Sequence, residues 1–532
     1  MAGWGVVVVT PAAYRADGGR RWRRMRHDQG ATAARGVQVA AGWWVLIGIV
    51  GALALVALYD VTQRRHAVLR NWPVVGHLRY ILEAFGPELR QYIVTTNDAE
   101  RPFSRNQRRW IYSVAKNENS SFSFGSESVF ERSPGYVIIS PAAFPAPSPP
   151  DGDPADWPLA SAKVLGAPRG RPHAFRPASV VNISGMSFGA LSAAAVTAIN
   201  DGARQAGCLH NTGEGGISPY HLQGGELVLQ LGTGWFGARD DHGRLSIDRL
   251  LETLDGRPVR AIELKLSQGA KPGLGGLLHA KKVTPEIARI RGVPAGVDCV
   301  SPAVNPDFHD ADAMLDVVER IAEATGLPVG IKSAVGMVDF WNDLARLMES
   351  GTRGVDFITI DGGEGGTGAG PLAFIDHVAL PYRLAHGRAY RAFAERGLQH
   401  RVTWIGAGRL GLPEQAVMAF ALGADMINVG REAMLSVGCI QAQRCHTGHC
   451  PTGVATQSAW LQRGLDPSLK AGHLGGYIIG LRREITRLTR ATGNTHPSCI
   501  TLDHIELLEG DVAVPATGRY EVMPEWAVPP IC

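Results

Sequence analysis

Residues 356–369 read DFITIDGGEGGTGA, a short β-branched run that passes directly into a loop containing five glycines. Apolar runs of this length are typical of strands buried in a parallel sheet. Glycines at the end of such a strand let backbone N–H groups approach a ligand closely. From about residue 178 the chain repeats this arrangement, with longer helical patterns between the runs. Eight strands are predicted, at Val180–Ser184, Leu209–Thr212, Ala261–Leu266, Gly296–Ser301, Pro328–Lys332, Asp356–Ile360, Val402–Ile405 and Met426–Val429.

Eight strand–helix units predict an α/β fold, a (β/α)8 TIM barrel over residues 178–510. An open, doubly wound sheet has the same alternation of strands and helices and is the alternative fold. In a barrel the side chains that follow the strands meet at one end, and active sites lie there. We therefore look for functional residues just after the predicted strands.

Four of these strand ends carry glycine-rich loops, which favours a phosphate-bearing cofactor. The last two loops of such barrels commonly hold a phosphate, and here each also carries an arginine. Lys332 ends a strand at the same mouth, where an ammonium stabilises negative charge on a reduced ring system. Tight turns and a solvated strand end are the plainer interpretations. The candidate cofactor-binding residues are Met186, Ser187, Lys332, Gly363, Gly365, Gly366, Thr367, Gly406, Gly408, Arg409, Gly430 and Arg431.

Three of the seven cysteines lie within twelve residues, at Cys439, Cys445 and Cys450, in a segment that follows the last predicted strand. Closely spaced thiolates suit soft metals, and a cysteine followed by proline recurs among iron–sulfur ligands. With no fourth cysteine nearby, a three-iron cluster fits better than a four-ligand cluster. Zinc is the alternative metal, because His446 or His449 would complete a Cys3His tetrahedron. Three unrelated core cysteines remain the simplest alternative.

An uncharged run of 21 residues, Val39–Tyr59, precedes the barrel and predicts one transmembrane helix. Tryptophans near one end and a tyrosine at the other suit the membrane interface. A buried core helix is the alternative. Arginines flank the run on both sides, and those after it favour a cytoplasmic catalytic domain if the chain starts at Met25. The prediction is a single-pass membrane protein.

The remaining segments complete the predicted organisation. Residues 1–38 are a basic, disordered N-terminus, and residues 60–177 form a connecting region with a Pro-rich surface stretch at 142–158. Residues 511–532 form a tail. The 53 basic and 49 acidic residues give a net charge of +4, too small over 532 residues to indicate a nucleic-acid partner. We expect none.

Three longer motifs carry a resemblance to a known family. They are SQGAKPG at residues 267–273, GGTGA ending at residue 369, and CHTGHCPTGVATQ at residues 445–457. In this order, from about residue 182 to 457, they resemble the FMN-binding synthase domain of glutamate synthase. The resemblance implies a barrel that binds FMN and a [3Fe-4S] cluster on the three clustered cysteines. It further implies reductive amination of 2-oxoglutarate to glutamate through 2-iminoglutarate, with electrons passing from cluster to flavin to imine.

The same resemblance assigns roles to individual residues. Glu214 and Lys271 match catalytic residues of the family. Gln268, Lys271 and Arg291 match its substrate-binding residues. Fixed cations suit a dicarboxylate substrate, and imine reduction needs a proton source. The plainer interpretation of Arg291, which follows Arg289 on a predicted helix, is an exposed helix face.

Two departures leave the substrate and the partners open. The family usually has a Glu and a Gln after the Lys-Pro-Gly motif, where this chain has Leu274 and Leu277. The family's glutaminase domain has no counterpart in the sequence, so we expect ammonia from solution or from a glutaminase-type subunit. With no nicotinamide fingerprint, ferredoxin or a reductase subunit is the expected electron donor. The alternatives are a synthase for another amine or oxo acid, such as an N-methylglutamate synthase, and a non-catalytic electron-transfer module.

Overall fold

The computed structural model of the protein describes residues 42–63, 66–97, 99–118, 125–126, 130, 134–147 and 159–527. The predicted basic N-terminus, residues 1–38, lies outside the described residues. So do the first three residues of the predicted apolar run and the last five of the chain. The chain forms two compact units, one up to Thr96 and one from Asn97 onward.

The first unit is helical. Its first helix, α1 (Gly42–Thr62), has 21 residues with a mean hydropathy of 2.2, and its apolar side chains are largely exposed. It is followed by α2 (Ala67–Asn71) and α3 (Gly76–Leu89), and α3 continues as a π-helical turn, Arg90–Val94. The buried carboxylate of Asp60 near the end of α1 accepts the backbone N–H of Val74 at 2.8 Å. This contact joins the end of α1 to the turn before α3.

The second unit contains an eight-stranded parallel barrel and two smaller antiparallel sheets. Its described strands are β1 (Tyr136–Ile139), β2 (Val181–Ile183), β3 (His210–Asn211), β4 (Leu227–Leu231), β5 (Val259–Lys265), β6 (Leu277–Leu278), β7 (Cys299–Val300), β8 (Val329–Ser333), β9 (Phe357–Asp361), β10 (Thr403–Ala407), β11 (Met426–Val429), β12 (Ile505–Glu509) and β13 (Val512–Pro515). The barrel is closed in the order β2-β3-β4-β5-β8-β9-β10-β11, β1, β12 and β13 form a three-stranded sheet, and β6 and β7 form a two-stranded ribbon.

Helices cover the outside of the barrel, and the longest of this unit, α15 (Pro467–Ala491), packs along α5 (Ala193–Ala206). The helices of this unit are α4 (Arg105–Ala115), α5 (Ala193–Ala206), α6 (Ile247–Leu254), α7 (Pro285–Arg291), α8 (Ala311–Thr325), α9 (Asp339–Met348), α10 (Leu372–His377), α11 (Tyr382–Ala394), α12 (Pro413–Ala421), α13 (Arg431–Ser436), α14 (Ala459–Gln462), α15 (Pro467–Ala491) and α16 (Pro524–Ala527).

The predicted TIM barrel is confirmed, but one predicted strand was wrong. Residues 296–301 do not enter the barrel, because Cys299–Val300 pairs antiparallel with Leu277–Leu278 in the outer ribbon. The barrel strand that the sequence did not reveal is Leu227–Leu231. Only a 3₁₀ turn, Pro219–His221, separates it from the preceding strand, so the strand–helix period is broken at this point.

The inside of the barrel is packed. At the end where the strands begin, Leu165 and Phe175 form a backbone bridge and pack against Phe357 of β9, closing the barrel with apolar side chains. Higher up, the buried carboxylate of Glu263 accepts hydrogen bonds from Asn211 (2.8 Å), Gln230 (2.6 Å) and Thr359 (2.6 Å). A buried carboxylate is tolerated when its oxygens are satisfied in this way. The end of the barrel where the strands finish is therefore the end at which a ligand can bind.

Candidate active site

The carboxyl ends of neighbouring strands β5 and β8 each carry a lysine. Lys265 and Lys332 are partners in the strand register, so their side chains leave the barrel at the same level. Lys332 is buried, and its Nζ lies 3.4 Å from Oδ2 of Asp361 at the end of β9. Burial alone would lower the pKa of Lys332, but Asp361 and Glu263 outweigh burial and raise it. Lys332 is therefore a fixed cation at the barrel mouth.

A second charged group lies beside it. Nζ of Lys265 is 2.8 Å from Oε1 of Glu214 and 3.3 Å from Oε1 of Gln268. The amide Nε2 of Gln268 donates to the carbonyl of Gly366 at 2.7 Å, which joins this group to the glycine loop after β9. Burial would raise the pKa of Glu214, but Lys265, with smaller effects of Arg291 and Lys271, holds it below its usual value. Glu214 is accordingly ionised.

Lys271 and Arg291 are buried without a matching carboxylate. They are 9% and 6% exposed, and no carboxylate of the described residues lies within ion-pair distance of either one. Arg291 donates to the carbonyl of Phe188 at 3.2 Å and contacts Sγ of Cys299 at 3.8 Å, and its Nε has no acceptor. Burial, followed by the charge of Lys265, lowers the pKa of Lys271. A buried charge that lacks a partner is costly, so this arrangement suits a bound anion.

Two arginines stand at the last two strand ends of the barrel. Arg409 follows β10 with a left-handed backbone (φ 57°) and donates to Oε1 of Gln107 at 3.0 Å. Arg431 begins α13 and donates to the carbonyl of Glu364. Neither guanidinium forms an ion pair within the described residues. Burial lowers the pKa of both, and the charge of Arg431 adds to the lowering at Arg409. Carboxylates such as Glu432 act on both arginines only from beyond ion-pair distance, so two neighbouring guanidinium groups are left that fit a phosphate group.

Three glycines in the loops near the two arginines cannot carry a side chain, each for a different steric reason. A Cβ on Gly408, whose φ is 125°, would be strained and would approach the backbone of Gly362 at 3.1 Å. A Cβ on Gly366 would meet the side chain of Arg431 at 2.5 Å. At Gly406 it would meet the hydroxyl of Tyr382 at 2.5 Å, so packing within the protein already requires glycine there. Glycine at 366 thus leaves room for the side chain of Arg431, and glycine at 408 is required by the backbone conformation and by the close approach of Gly362.

The remaining predicted cofactor residues lie in three loops. Met186 and Ser187 follow β2, where Met186 N donates to the carbonyl of Asn211 and its own carbonyl accepts Nε2 of His221 at 3.0 Å. Gly363, Gly365 and Thr367 lie in the loop after β9, where Gly363 N donates to the carbonyl of Leu380 at 2.8 Å and a Thr367 hydroxyl donates to Ala369 at 3.2 Å. Gly430 precedes α13, and a Cβ there would lie 3.8 Å from the end of the Met186 side chain.

The three clustered cysteines lie in one loop after α13. Lys282 donates to the carbonyl of Cys445 at 2.8 Å. Burial raises the pKa of Cys439 to about 12 and also raises that of Cys445. Burial has the same tendency at Cys450, but backbone N–H groups led by that of Ala455 outweigh it and lower the pKa. N–H groups directed at a thiolate sulfur are the hydrogen bonds that tune iron–sulfur ligands.

No group of three or more His, Cys, Asp or Glu side chains among the described residues has the arrangement of a ready metal site. His446 and His449, the ligands of the zinc alternative, are exposed. The chemistry of the donor set fits a thiolate-bound cluster, but the arrangement of the side chains does not by itself define one.

The sequence did not single out four residues that the structure brings to the site. The sequence did contain a signal for Lys265: it is the next-to-last residue of the predicted strand Ala261–Leu266, in a chain with only eight lysines. Glu263 and Asp361 lie on barrel strands, and their partners come from other strands. Phe103 contacts the two arginines from more than 300 residues away in the sequence.

The fold and this site define the class of protein: a TIM barrel with buried cations at the mouth, the end at which enzymes of this fold place their active sites. Residues 171–495, more than half of the chain, match the family model described as the conserved region in glutamate synthase. The glutamate synthase large subunit-like protein YerD of Bacillus subtilis is 34% identical over 505 residues, which covers 88% of this chain and 96% of YerD.

Further relatives share the barrel region. The archaeal glutamate synthase (NADPH) of Methanocaldococcus jannaschii is 34% identical, over 62% of this chain and 61% of that protein. The archaeal-type glutamate synthase (NADPH) of Thermotoga maritima is 33% identical, over 59% of each protein. This chain spans about six tenths of the length of these two relatives. It belongs to the glutamate synthase family and is an oxidoreductase of the glutamate synthase type.

Proposed function

We propose that the protein is a membrane-anchored FMN and iron–sulfur oxidoreductase that forms glutamate by reductive amination of 2-oxoglutarate. One observation carries the substrate class: the buried cations Lys271 and Arg291 and the mostly buried Lys265 surround a single carboxylate, Glu214. This imbalance of charge is offset when a dianion binds. The two negative charges of a five-carbon dicarboxylate would balance the excess positive charge of this group of side chains.

Each side chain then has a defined task. Arg291 and Gln268 hold carboxylates of the oxo acid with N–H donors, and Lys271 binds beside its oxo group. Ammonia adds to the carbonyl to give a carbinolamine, and the lowered pKa of Lys271 makes its ammonium a better proton donor to the hydroxyl that then leaves as water to give the imine. Glu214, kept ionised by Lys265, orients the incoming nitrogen by accepting its N–H.

The cofactors supply the redox chemistry in this proposal. FMN would donate a hydride to the imine, and a [3Fe-4S] cluster would deliver electrons to FMN. Arg409 and Arg431 would hold the phosphate of FMN, and Lys332 would face the negative charge of its reduced ring. Cys439, Cys445 and Cys450 would hold the cluster. The flavin is supported by the family and by the two arginines without ion-pair partners, and the cluster is supported by the cysteine donor set.

Binding affinities test the substrate class directly. Calorimetric titration of the holoenzyme should give tighter binding of 2-oxoglutarate, a dianion, than of pyruvate, a monoanion. Arg291→Gln should weaken 2-oxoglutarate binding by about 30-fold to 100-fold, the worth of a charged hydrogen bond at a buried site. Arg289→Gln is the matched control, because Arg289 is exposed on the same helix. Equal binding of the two acids, or equal effects of the two variants, would contradict the proposed substrate class.

The nitrogen donor has a second candidate. Leu274 and Leu277, where the resemblance leads one to expect Glu and Gln, are 38% and 43% exposed. Apolar side chains at this position favour an amine with an alkyl substituent over ammonia. Turnover with methylammonium and with ammonium, at equal concentrations of free amine, distinguishes an N-methylglutamate synthase from a glutamate synthase. We propose that ammonia comes from solution or from a glutaminase-type subunit. The proposed electron donor is a ferredoxin or a reductase subunit.

Anchoring rests on α1, whose length and exposed apolar side chains suit a bilayer. The full-length protein should stay in the membrane pellet through high salt and alkaline carbonate and leave it only with detergent. A cytoplasmic catalytic unit should be protected from protease in intact cells and cleaved in inverted vesicles. Release by carbonate would contradict the anchor without affecting the proposed chemistry.

A further inference from the structure

The segment Glu100–Tyr112, which we call the collar, lies near the start of the second unit and outside residues 171–495 that match the family model. It comprises a short irregular stretch and most of α4, and α4 packs against α13 and α15. The collar contacts both arginines of the candidate phosphate site and the loop of the clustered cysteines. A segment outside the matched region therefore touches two parts of the proposed redox site.

Phe103 makes the contact with the arginines. Its ring is 1% exposed, with Cζ of Arg409 at 5.3 Å and Cζ of Arg431 at 5.1 Å from the ring centroid. A guanidinium within about 6 Å of an aromatic face is attracted to it, and the attraction grows when water is excluded. The ring thus holds two cations that repel each other, and in the described part of the chain no carboxylate lies within ion-pair distance of either one.

The backbone of the collar is fixed on both sides of this ring. Ser104 caps α4, and its N–H donates to Oε1 of Gln107 at 3.0 Å, the oxygen that also accepts from Arg409. Phe103 N donates to Oε1 of Gln441 at 3.0 Å, and Nε2 of Gln441 donates back to the carbonyl of Phe103 at 3.1 Å. This pair of hydrogen bonds sets where the ring stands.

Gln441 lies two residues after Cys439, so the collar also meets the cysteine loop. Gln441 N donates to Sγ of Cys439 at 3.4 Å, and the hydroxyl of Tyr112 donates to the carbonyl of Cys439 at 2.8 Å. Arg108, buried and paired with Glu100, donates to the carbonyl of Phe103 at 3.3 Å. One buried polar network thus ties the ring of Phe103 to the first clustered cysteine.

We propose that Phe103 is a positioning residue for the phosphate end of the flavin, and that the collar is an integral part of the cofactor site. The inference rests on the proposed binding of FMN. The ring keeps the guanidinium groups of Arg409 and Arg431 close together and aligned before the ligand arrives. Preorganised cations bind an anion more tightly because less order is lost on binding. Phe103 acts through the arginines and touches no reacting atom.

The test compares two flavins that differ by the phosphate. The full-length protein is freed of flavin and titrated with FMN and with riboflavin, following flavin fluorescence. Phe103→Ala should weaken FMN binding about ten-fold and leave riboflavin binding within two-fold of the parent value. Phe103→Leu, which keeps an apolar side chain without an aromatic face, should behave like Phe103→Ala. Phe144→Ala is the matched control, because Phe144 is 90% exposed.

Three results would overturn the inference. Equal losses for FMN and riboflavin would show a general loss of structure, and unchanged FMN binding in Phe103→Ala would show that the ring does not position the arginines. Parent-like FMN binding by Phe103→Leu would reduce the role of Phe103 to packing. In these cases the parent protein still binds FMN, and the proposed function stands. A parent protein that binds neither flavin would refute the flavin chemistry, and the inference with it.

Discussion

Nζ of Lys265 lies 2.8 Å from Oε1 of Glu214, where strand β5 ends at the barrel mouth. The pair is mostly buried, with 13% and 20% of the two side chains exposed. It is the only charge neutralisation that Glu214 has within ion-pair distance among the described residues. Glu214 therefore does not form an ion pair with Lys271 or Arg291, and these two cations are available to bind an anionic ligand.

The Lys265–Glu214 pair should contribute measurably to stability. Lys265→Met leaves a buried carboxylate without its partner, so we expect the free energy of unfolding to fall by about 3 kcal/mol. Glu214→Gln removes the charge that needs the lysine, so the double variant should lose less than the sum of the two single variants. Urea unfolding of the detergent-solubilised protein, followed by tryptophan fluorescence, measures all three. Strictly additive losses would show that the two side chains do not interact.

Binding of 2-oxoglutarate should weaken at alkaline pH through Lys271. Its pKa lies below the ordinary 10.5, because burial and the charge of Lys265 disfavour the ammonium. A lysine is charged below its pKa, so the positive charge is present at neutral pH and is lost as the pH rises through that lowered value. A plot of log Kd against pH should therefore bend at a pH below 10.5. In Lys271→Arg the bend should move to higher pH or disappear. If log Kd of the parent protein stays constant up to pH 10.5, Lys271 is not the group whose charge controls binding of 2-oxoglutarate.

The cysteine loop should hold iron. Replacing Cys445 by Ser removes one of three thiolates, so the purified protein should lose most of its iron and its broad absorbance near 400 nm while keeping its flavin. Cys208→Ser is the control, because Cys208 is a buried cysteine outside the loop. Elemental analysis decides between metals. Zinc in place of iron in the parent protein would support the Cys3His alternative and refute the cluster.

The carboxylate of Glu263 inside the barrel should stabilise the folded protein. Glu263 accepts three hydrogen bonds from Asn211, Gln230 and Thr359, so Glu263→Gln turns one acceptor into a donor that faces donors. We expect a loss of about 2 kcal/mol in the free energy of unfolding. Glu226→Gln, at a carboxylate whose side chain is 54% exposed, should cost less than about 0.5 kcal/mol. A similar fall in the free energy of unfolding for both variants would show that the three hydrogen bonds to Glu263 do not stabilise the barrel.

The barrel was predictable because its signal is local. Seven of the predicted strands overlap barrel strands, since a buried parallel strand appears as a short apolar run wherever it occurs. Leu227–Leu231 was missed, and Cys299–Val300 was placed in the barrel, because the connection before Leu227 has no long helix to mark the period. Local patterns do not show which strand pairs with which neighbour when that period fails.

The site was predictable only in part. Strand-end loops and family motifs identify Lys332, Lys271 and Arg291, but burial distinguishes Arg291 from the exposed Arg289 only once the helix is packed. The contacts of Phe103 depend on tertiary packing that brings α4 beside α13. No spacing rule links residues that lie more than 300 positions apart.

The most direct test of the central claim is anaerobic turnover of the holoenzyme with a chemical reductant, 2-oxoglutarate and ¹⁵N-ammonium. The account predicts ¹⁵N-glutamate, at a rate reduced at least about 100-fold in Lys271→Met and unchanged in Lys116→Met, an exposed lysine. Protein that contains flavin and iron but forms no labelled glutamate would contradict the account. So would a Lys271→Met variant as active as the parent protein.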